Sequence, residues 1–208
     1  MPTASPLRRP PSQARSRQRV RRIIDAAGTI VEEQGVAAAS VRAIAERAGV
    51  SPATLYQFFA NRDAVLEQLL GQELEDLDAR LADALAARPA SSIREAVDAL
   101  FDVHERHYLD RPALAALYYS ARESGAVRAE VQAHLARISA AVYEAMVAAE
   151  LFRPDTERRV IDVAIALGDR IFELAYRDVH HRDDAVIAEG KLAITSYLQT
   201  YENPSQPR

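Results

Sequence analysis

Apolar residues recur at every third or fourth position along most of the chain, which is the period of helices packed by one face. Val20, Ile23, Ile24, Ala27, Ile30 and Val31 mark the inner face of a first helix, stopped at Gly35. Ser40 is a good N-cap for a second, with Val41, Ile44 and Ala45 turned inward and an end near Ala48-Gly49. Ser51 caps a short third helix, and Pro52 takes its first position, where a missing N–H costs nothing. Asn61 caps a fourth. Leu66, Leu70, Leu77, Leu81 and Leu85 carry that helix to about Ala87, ahead of Pro89.

Ser92 and Glu95 form a capping box for a fifth helix, apolar at Ile93, Val97, Leu100, Phe101 and Tyr108. Pro112 restarts the chain into a short sixth helix ending near Gly125, and a long seventh runs to Leu151. Pro154-Asp155 opens an eighth, about 156–178, and the ninth runs from about Asp183 to Tyr201. No segment of useful length alternates with period two, so no sheet is expected. The pattern predicts an all-α protein of about nine helices.

Composition sharpens this picture. Ala, Leu, Arg and Glu dominate and Gly numbers only 7, a balance that favours helix. There are no cysteines, which excludes disulfides, thiolate metal sites and Cys nucleophiles. No apolar run approaches the roughly 20 residues of a membrane span, and no apolar stretch follows the N-terminal arginines, so a cytoplasmic protein without a membrane role is expected. The net charge of −4 divides unevenly. Residues 1–62 carry ten Arg against Asp25, Glu32, Glu33 and Glu46, a net +6, while the rest carries 16 basic and 26 acidic residues, a net −10. Such a basic front points to a polyanion. Residues 1–14, with four prolines and Arg8 and Arg9, read as a disordered basic arm, and 204–208 as a disordered tail.

The second and third helices, joined by Ala48-Gly49-Val50-Ser51, form a helix-turn-helix. Gly49 accepts the left-handed turn at little cost. Leu55 and Val50, with Ile44 and Phe59, lock the two helices, leaving the N-terminal half of the third to enter a major groove. The stretch S-V-R-A-I-A-E-R-A-G-V-S-P-A-T-L-Y-Q-F-F-A-N-R-D-A-V-L, residues 40–66, resembles the DNA-binding signature of the TetR (tetracycline-repressor) family. The resemblance implies DNA contact by Arg22, Ser40, Arg42, Ser51, Pro52, Ala53, Thr54, Tyr56, Gln57, Phe58 and Arg62. Tyr56 would give its hydroxyl to a phosphate, Gln57 would meet a base edge, and Arg62 would hold a phosphate beside the fourth helix. Ala53 stands where the family usually has Gly, Phe58 where Tyr or His is common, and Arg62 where Lys is usual. The expected domains are a helix-turn-helix domain at 15–62, running on into the fourth helix, and a helical effector-binding and dimerisation domain at 63–203.

That second domain shows two further patterns. Val160, Ile161, Val163, Ala164, Ile165, Ala166 and Leu167 make the eighth helix apolar nearly all round, so it must be buried on two sides. A homodimer through the eighth and ninth helices would do this, with Leu167, Gly168, Ile171, Ile194 and Leu198 near the contact; a monomer with a central buried helix is the alternative. Phe101, His104, Tyr108, Tyr118, Tyr143, Phe172 and Tyr176 could line a pocket for a small organic effector, or could be ordinary core. His104, His107, His180 and His181 read as pocket, capping or surface groups, with no metal or other cofactor implied. No G-x-S-x-G elbow, phosphate loop or H-E-x-x-H occurs, so an enzyme is not expected. The resemblance implies a repressor released from a palindromic double-stranded operator by its effector. A helical adaptor that binds only protein would be told apart by a mobility shift with genomic DNA.

Overall fold

In the first helix, α1 (Ala14–Gln34), the buried side chains are Val20, Ile23, Ile24, Ala26, Ala27, Ile30 and Val31, the face that the periodicity marks. The computed structural model describes residues 14–111, 115, 117–119, 125–176 and 182–204. After Gly35 a single 3-10 turn (Val36–Ala38) precedes α2 (Val41–Arg47), α3 (Pro52–Phe58) and α4 (Arg62–Ala87). Then come α5 (Ile93–Asp110), α6 (Gly125–Ala148), α7 (Arg159–Ala175) and α8 (Asp184–Gln199). Of the expected sixth helix only Ala115 and residues 117–119 are described, and these are helical. Of the expected arm only Ala14 is described, as the first residue of α1; its other residues, with His180 and His181, lie outside the described residues. An isolated antiparallel bridge pairs Phe152 with Glu202. No described helix is long and apolar enough to cross a membrane.

The chain forms two units, which divide within α4 between Leu74 and Glu75. The first takes the chain through Leu74 together with Arg111–Glu130. Its core holds Ile23, Ile44, Leu55, Phe59, Val65 and Leu70, all without solvent exposure. Asn61 caps α4 by accepting from the Ala64 amide at 2.8 Å.

The second unit takes Glu75–Asp110 and the chain from Val131 onward. Ser92 caps α5 by accepting from the Glu95 amide at 3.2 Å, but Glu95 reaches back one residue further than a capping box requires. It takes the amide and hydroxyl of Ser91, at 2.8 and 2.7 Å. α7 starts at Arg159 rather than near 156, because the preceding segment is held by the C-terminus: Arg153 donates its amide to Tyr201 at 3.0 Å, and Asn203 donates its own to Leu151 at 2.9 Å. α7 and α8 pack on one another, and α8 also meets α5. At Gly190 the approach is so close that a Cβ would overlap Ile171 Cγ2 and sit 2.9 Å from its Cδ1.

Asp78 of α4 ties this unit together. Its carboxylate can only accept, so Nδ1 of the buried His134 donates to it at 2.7 Å, and Arg137 Nε donates at 2.7 Å. Burial works to raise the Asp78 pKa, but the two bonds and the charges behind them outweigh it and hold the carboxyl below its usual range. A carboxylate depressed in this way contributes stability above its unfolded pKa, about 3.9, and loses it as pH falls through the folded value. The melting temperature should therefore fall steeply below about pH 4, and Asp78→Asn should flatten that limb in thermal melts between pH 7 and 3. An identical acid limb in the variant would show that Asp78 is not a principal group.

Candidate nucleic-acid interface

The helix-turn-helix is built from its caps. Ser40 accepts from the Ala43 amide at 3.2 Å and Ser51 from the Thr54 amide at 3.1 Å. Between them Gly49, at φ 65°, closes a Schellman turn: its amide goes to Glu46 at 3.1 Å, and that of Val50 to Ala45 at 3.0 Å. The Ser40 cap uses an oxygen lone pair, so its O–H proton remains available to an acceptor such as a phosphate.

α3 is thereby fixed by one face and bare on the other. Leu55, Phe58 and Phe59 are buried, whereas Ser51, Pro52, Ala53, Tyr56 and Gln57 are exposed and Thr54 is half-buried. Tyr56 is 46 % exposed, unusual for an aromatic ring that could have packed on α4. Ala53, Tyr56 and Gln57 share one helical face by their three- and four-residue spacing. Arg22 and Arg42 are exposed and have no ion-pair partner among the described residues.

Two of the expected contact residues are placed otherwise. Phe58 is only 7 % exposed and belongs to the core of the first unit, since the turn of α3 that presents Tyr56 and Gln57 outward points residue 58 inward. Arg62, expected to hold a phosphate, is spent on the protein itself. Its Nε donates to the Ala39 carbonyl at 2.9 Å, one arm donates to the Val36 carbonyl, and the other lies 3.6 Å from Asp63. The guanidinium ties the start of α4 to the turn between α1 and α2. Arg62→Ala should accordingly cost about 1.5–3 kcal/mol in urea unfolding, the range for hydrogen bonds from a charged group. The salt dependence of DNA binding should keep its slope; a slope lowered by about one would return Arg62 to a phosphate. Arg47 is committed as well, in a two-armed pair with Glu33 of α1, one arm at 3.0 Å. Helical spacing gives no signal for either pairing, since the partners lie on other elements.

In the second unit, α5 and the end of α7 bring together five of the seven expected effector-site residues. Phe172 stands with its ring centroid 5.0 Å from Phe101, 5.1 Å from His104, 5.7 Å from Tyr108 and 6.2 Å from Tyr176. Tyr108 and Tyr176 meet edge to face at 5.0 Å. Tyr118 falls in the first unit, beside Tyr119, and Tyr143 gives its hydroxyl to the Thr156 carbonyl at 3.0 Å. His107 is fully buried, its Nδ1 3.8 Å from Asp76. No group of three or more metal-ligating side chains converges among the described residues.

The apolar faces of α7 and α8 also sort themselves. Ile194 and Leu198, expected at a contact between copies, are buried inside the unit, and Gly168 faces Ile194 Cδ1 at 3.7 Å. What remains outside is Val163, Leu167 and Leu174 on α7 and Leu192 on α8, exposed by 36–52 %. The inward stripe of α7 is taken up by its own unit, and the residues on the opposite side stay exposed.

Residues 23–69 match the family model described as bacterial regulatory proteins, tetR family, and residues 91–202 that described as tetracyclin repressor-like, C-terminal domain. The HTH-type transcriptional repressor KstR of Mycolicibacterium smegmatis is 42 % identical over 64 residues, 31 % of each chain, so the match spans about three tenths of that repressor. The HTH-type transcriptional regulator BetI of Rhizobium meliloti is 31 % identical over 156 residues, 72 % of this chain and 74 % of the regulator. Among solved structures, a regulator from Streptomyces coelicolor superposes with a TM-score of 0.62 at 25 % identity, covering 88 % of this chain and 99 % of its own.

Proposed function

The chain belongs to the tetracycline-repressor (TetR) family of bacterial regulatory proteins, and from that premise we propose that it is a ligand-responsive repressor. Two copies grip a near-palindromic operator and let go when a small organic effector occupies the second unit. The family is one of regulators rather than enzymes; its members bind operator DNA, act as dimers and bind small-molecule effectors. Working on operator DNA places the protein in the cytoplasm.

The observation that carries the reading is the outward face of α3, where Tyr56 and Gln57 stand bare on a helix locked from behind by Leu55 and Phe59. Ser40, Arg22 and Arg42 supply phosphate contacts, which hold the head in register, while Gln57 reads a base, a Gln pairing best with adenine. In a dimer the heads must meet successive major grooves about 34–36 Å apart. The exposed stripe of Val163, Leu167, Leu174 and Leu192 supports a dimer contact on α7 and α8. The aromatic nest around Phe172 supports an effector site. Effector and operator binding would then oppose each other by about 1–3 kcal/mol, reciprocally.

Selection of bound fragments from genomic DNA tests the reading, with recovery of one near-palindromic site as the expected result. Gln57→Ala should bind the recovered site more weakly, by about 1–3 kcal/mol, and accept any base at one position in each half-site. Equal binding to every fragment by the unaltered protein would overturn the assignment.

A further inference from the structure

Resting on the reading that the aromatic nest of the second unit holds the effector, we propose that this effector is a neutral, largely apolar molecule that presents a hydroxyl or N–H donor to His104 Nε2. A carboxylate is disfavoured at the same place.

The argument begins with a tautomer. His104 Nδ1 lies 2.8 Å from the Leu100 carbonyl oxygen. A carbonyl only accepts, so Nδ1 carries the proton, and in a neutral ring Nε2 is left with a lone pair. Burial keeps the ring neutral, lowering its pKa to about 4 although the Leu100 bond works the other way. At neutral pH Nε2 is thus an acceptor and nothing else. Its surroundings are apolar: the imidazole stacks on Phe172, with the planes inclined by 25°.

A second group points the same way. Tyr176 is only 6 % exposed, and its hydroxyl is buried without a hydrogen bond among the described residues. Arg182 lies near it, with Nε given to Asp184 and Nη1 to Glu105 at 2.7 Å. The Tyr176 ring stacks on Phe172, as that of His104 does. Two polar groups on one aromatic platform, the buried Tyr176 hydroxyl and the Nε2 of the half-buried His104 ring, make no hydrogen bond among the described residues, and a buried polar atom is rarely left unpaired. A ligand with an apolar body and a donating group supplies a partner for His104, and Tyr176 can accept from the same ligand or donate to it.

Charge disfavours the acid. An anion would meet a lone pair at Nε2 rather than a proton. The carboxylate of Glu105, next to His104 on α5, adds negative charge, while the cations near it, Arg182 and Lys191, are already engaged with Glu105, Asp102 and Asp184.

Calorimetry with naphthalene, 2-naphthol and 2-naphthoate on the intact protein tests the proposal. The expected result is 2-naphthol about three- to tenfold tighter than naphthalene, one hydrogen bond's worth, with 2-naphthoate no tighter than naphthalene. His104→Phe keeps an aromatic ring and removes the acceptor, so it should erase the advantage of naphthol over naphthalene. Nitrogen-15 shifts of the unaltered protein should show His104 protonated at Nδ1 and bare at Nε2. A proton on Nε2, a preference for naphthoate, or a naphthol advantage that survives His104→Phe would overturn the inference. Naphthalene binding weakened by Phe172→Ala, with no gain from the hydroxyl, would sink the donor inference alone. No binding by any probe, or binding indifferent to Phe172→Ala, would sink the effector-site reading and the inference with it.

Discussion

Leu167→Glu should leave a folded monomer whose affinity for operator DNA is lower by a hundredfold or more. Leu167 is 43 % exposed on α7, with Val163 one turn before it, Leu174 two turns after it and Leu192 exposed on α8. In a monomer this side chain already meets water, so a carboxylate there costs little. At a dimer contact it would be buried without a partner and would face its own copy across a two-fold axis. Losing the second head removes the intramolecular step of binding, which in linked pairs of sites raises affinity by roughly 10²–10⁴. Light scattering reads the mass and fluorescence anisotropy reads the affinity. Leu109→Glu is the control, because Leu109 is 65 % exposed on α5 and lies outside the stripe. A Leu167→Glu protein with the mass of a dimer would remove α7 from the contact.

Phe59→Ala should abolish DNA binding by another route, unfolding the head. Phe59 ends α3 in an extended conformation, at φ −120° and ψ 140°, with its amide held by Leu55 at 3.0 Å. Its side chain is without exposure in the core that also holds Ile23, Ile44 and Leu55. Removing a buried phenyl ring costs about 3–5 kcal/mol, and a domain of this kind has only about 5–15 kcal/mol to lose. Hydrogen exchange should show amides of α2 and α3 losing protection while those of α7 and α8 keep theirs. Protection retained in α2 and α3, with DNA binding intact, would show that the head closes around the vacancy.

Much of the head was legible from the residues because its information is local. The caps Ser40, Ser51 and Asn61, the turn at Gly49 and the buried set Ile44, Leu55 and Phe59 all lie within 22 consecutive residues, and the helical period says which of them share a face. Phe58 escaped this reading. On a seven-residue helix the boundary between inner and outer faces falls within one residue's width, and only the packing around Phe58 decides its side.

Periodicity sorts residues within a helix and is silent about which neighbour covers them. Arg62 is an N-terminal helix cation in the sequence; the carbonyls of Val36 and Ala39, 26 and 23 residues earlier, turn it into a clamp. The run from Val160 to Leu167 announces two buried sides without saying which one its own unit fills. Packing against α8, closest where Gly190 meets Ile171, takes the face with Ile161, Ala164 and Gly168 and leaves Val163 and Leu167 outside. Tyr108 and Tyr118 look alike ten residues apart, yet they belong to different units. What the sequence by itself determined was therefore the helices, their caps and the reading head, where the interacting residues are near neighbours along the chain. The tertiary structure alone decided the clamp, the outward stripe and the aromatic nest, because each depends on a contact between residues that the helical period cannot relate.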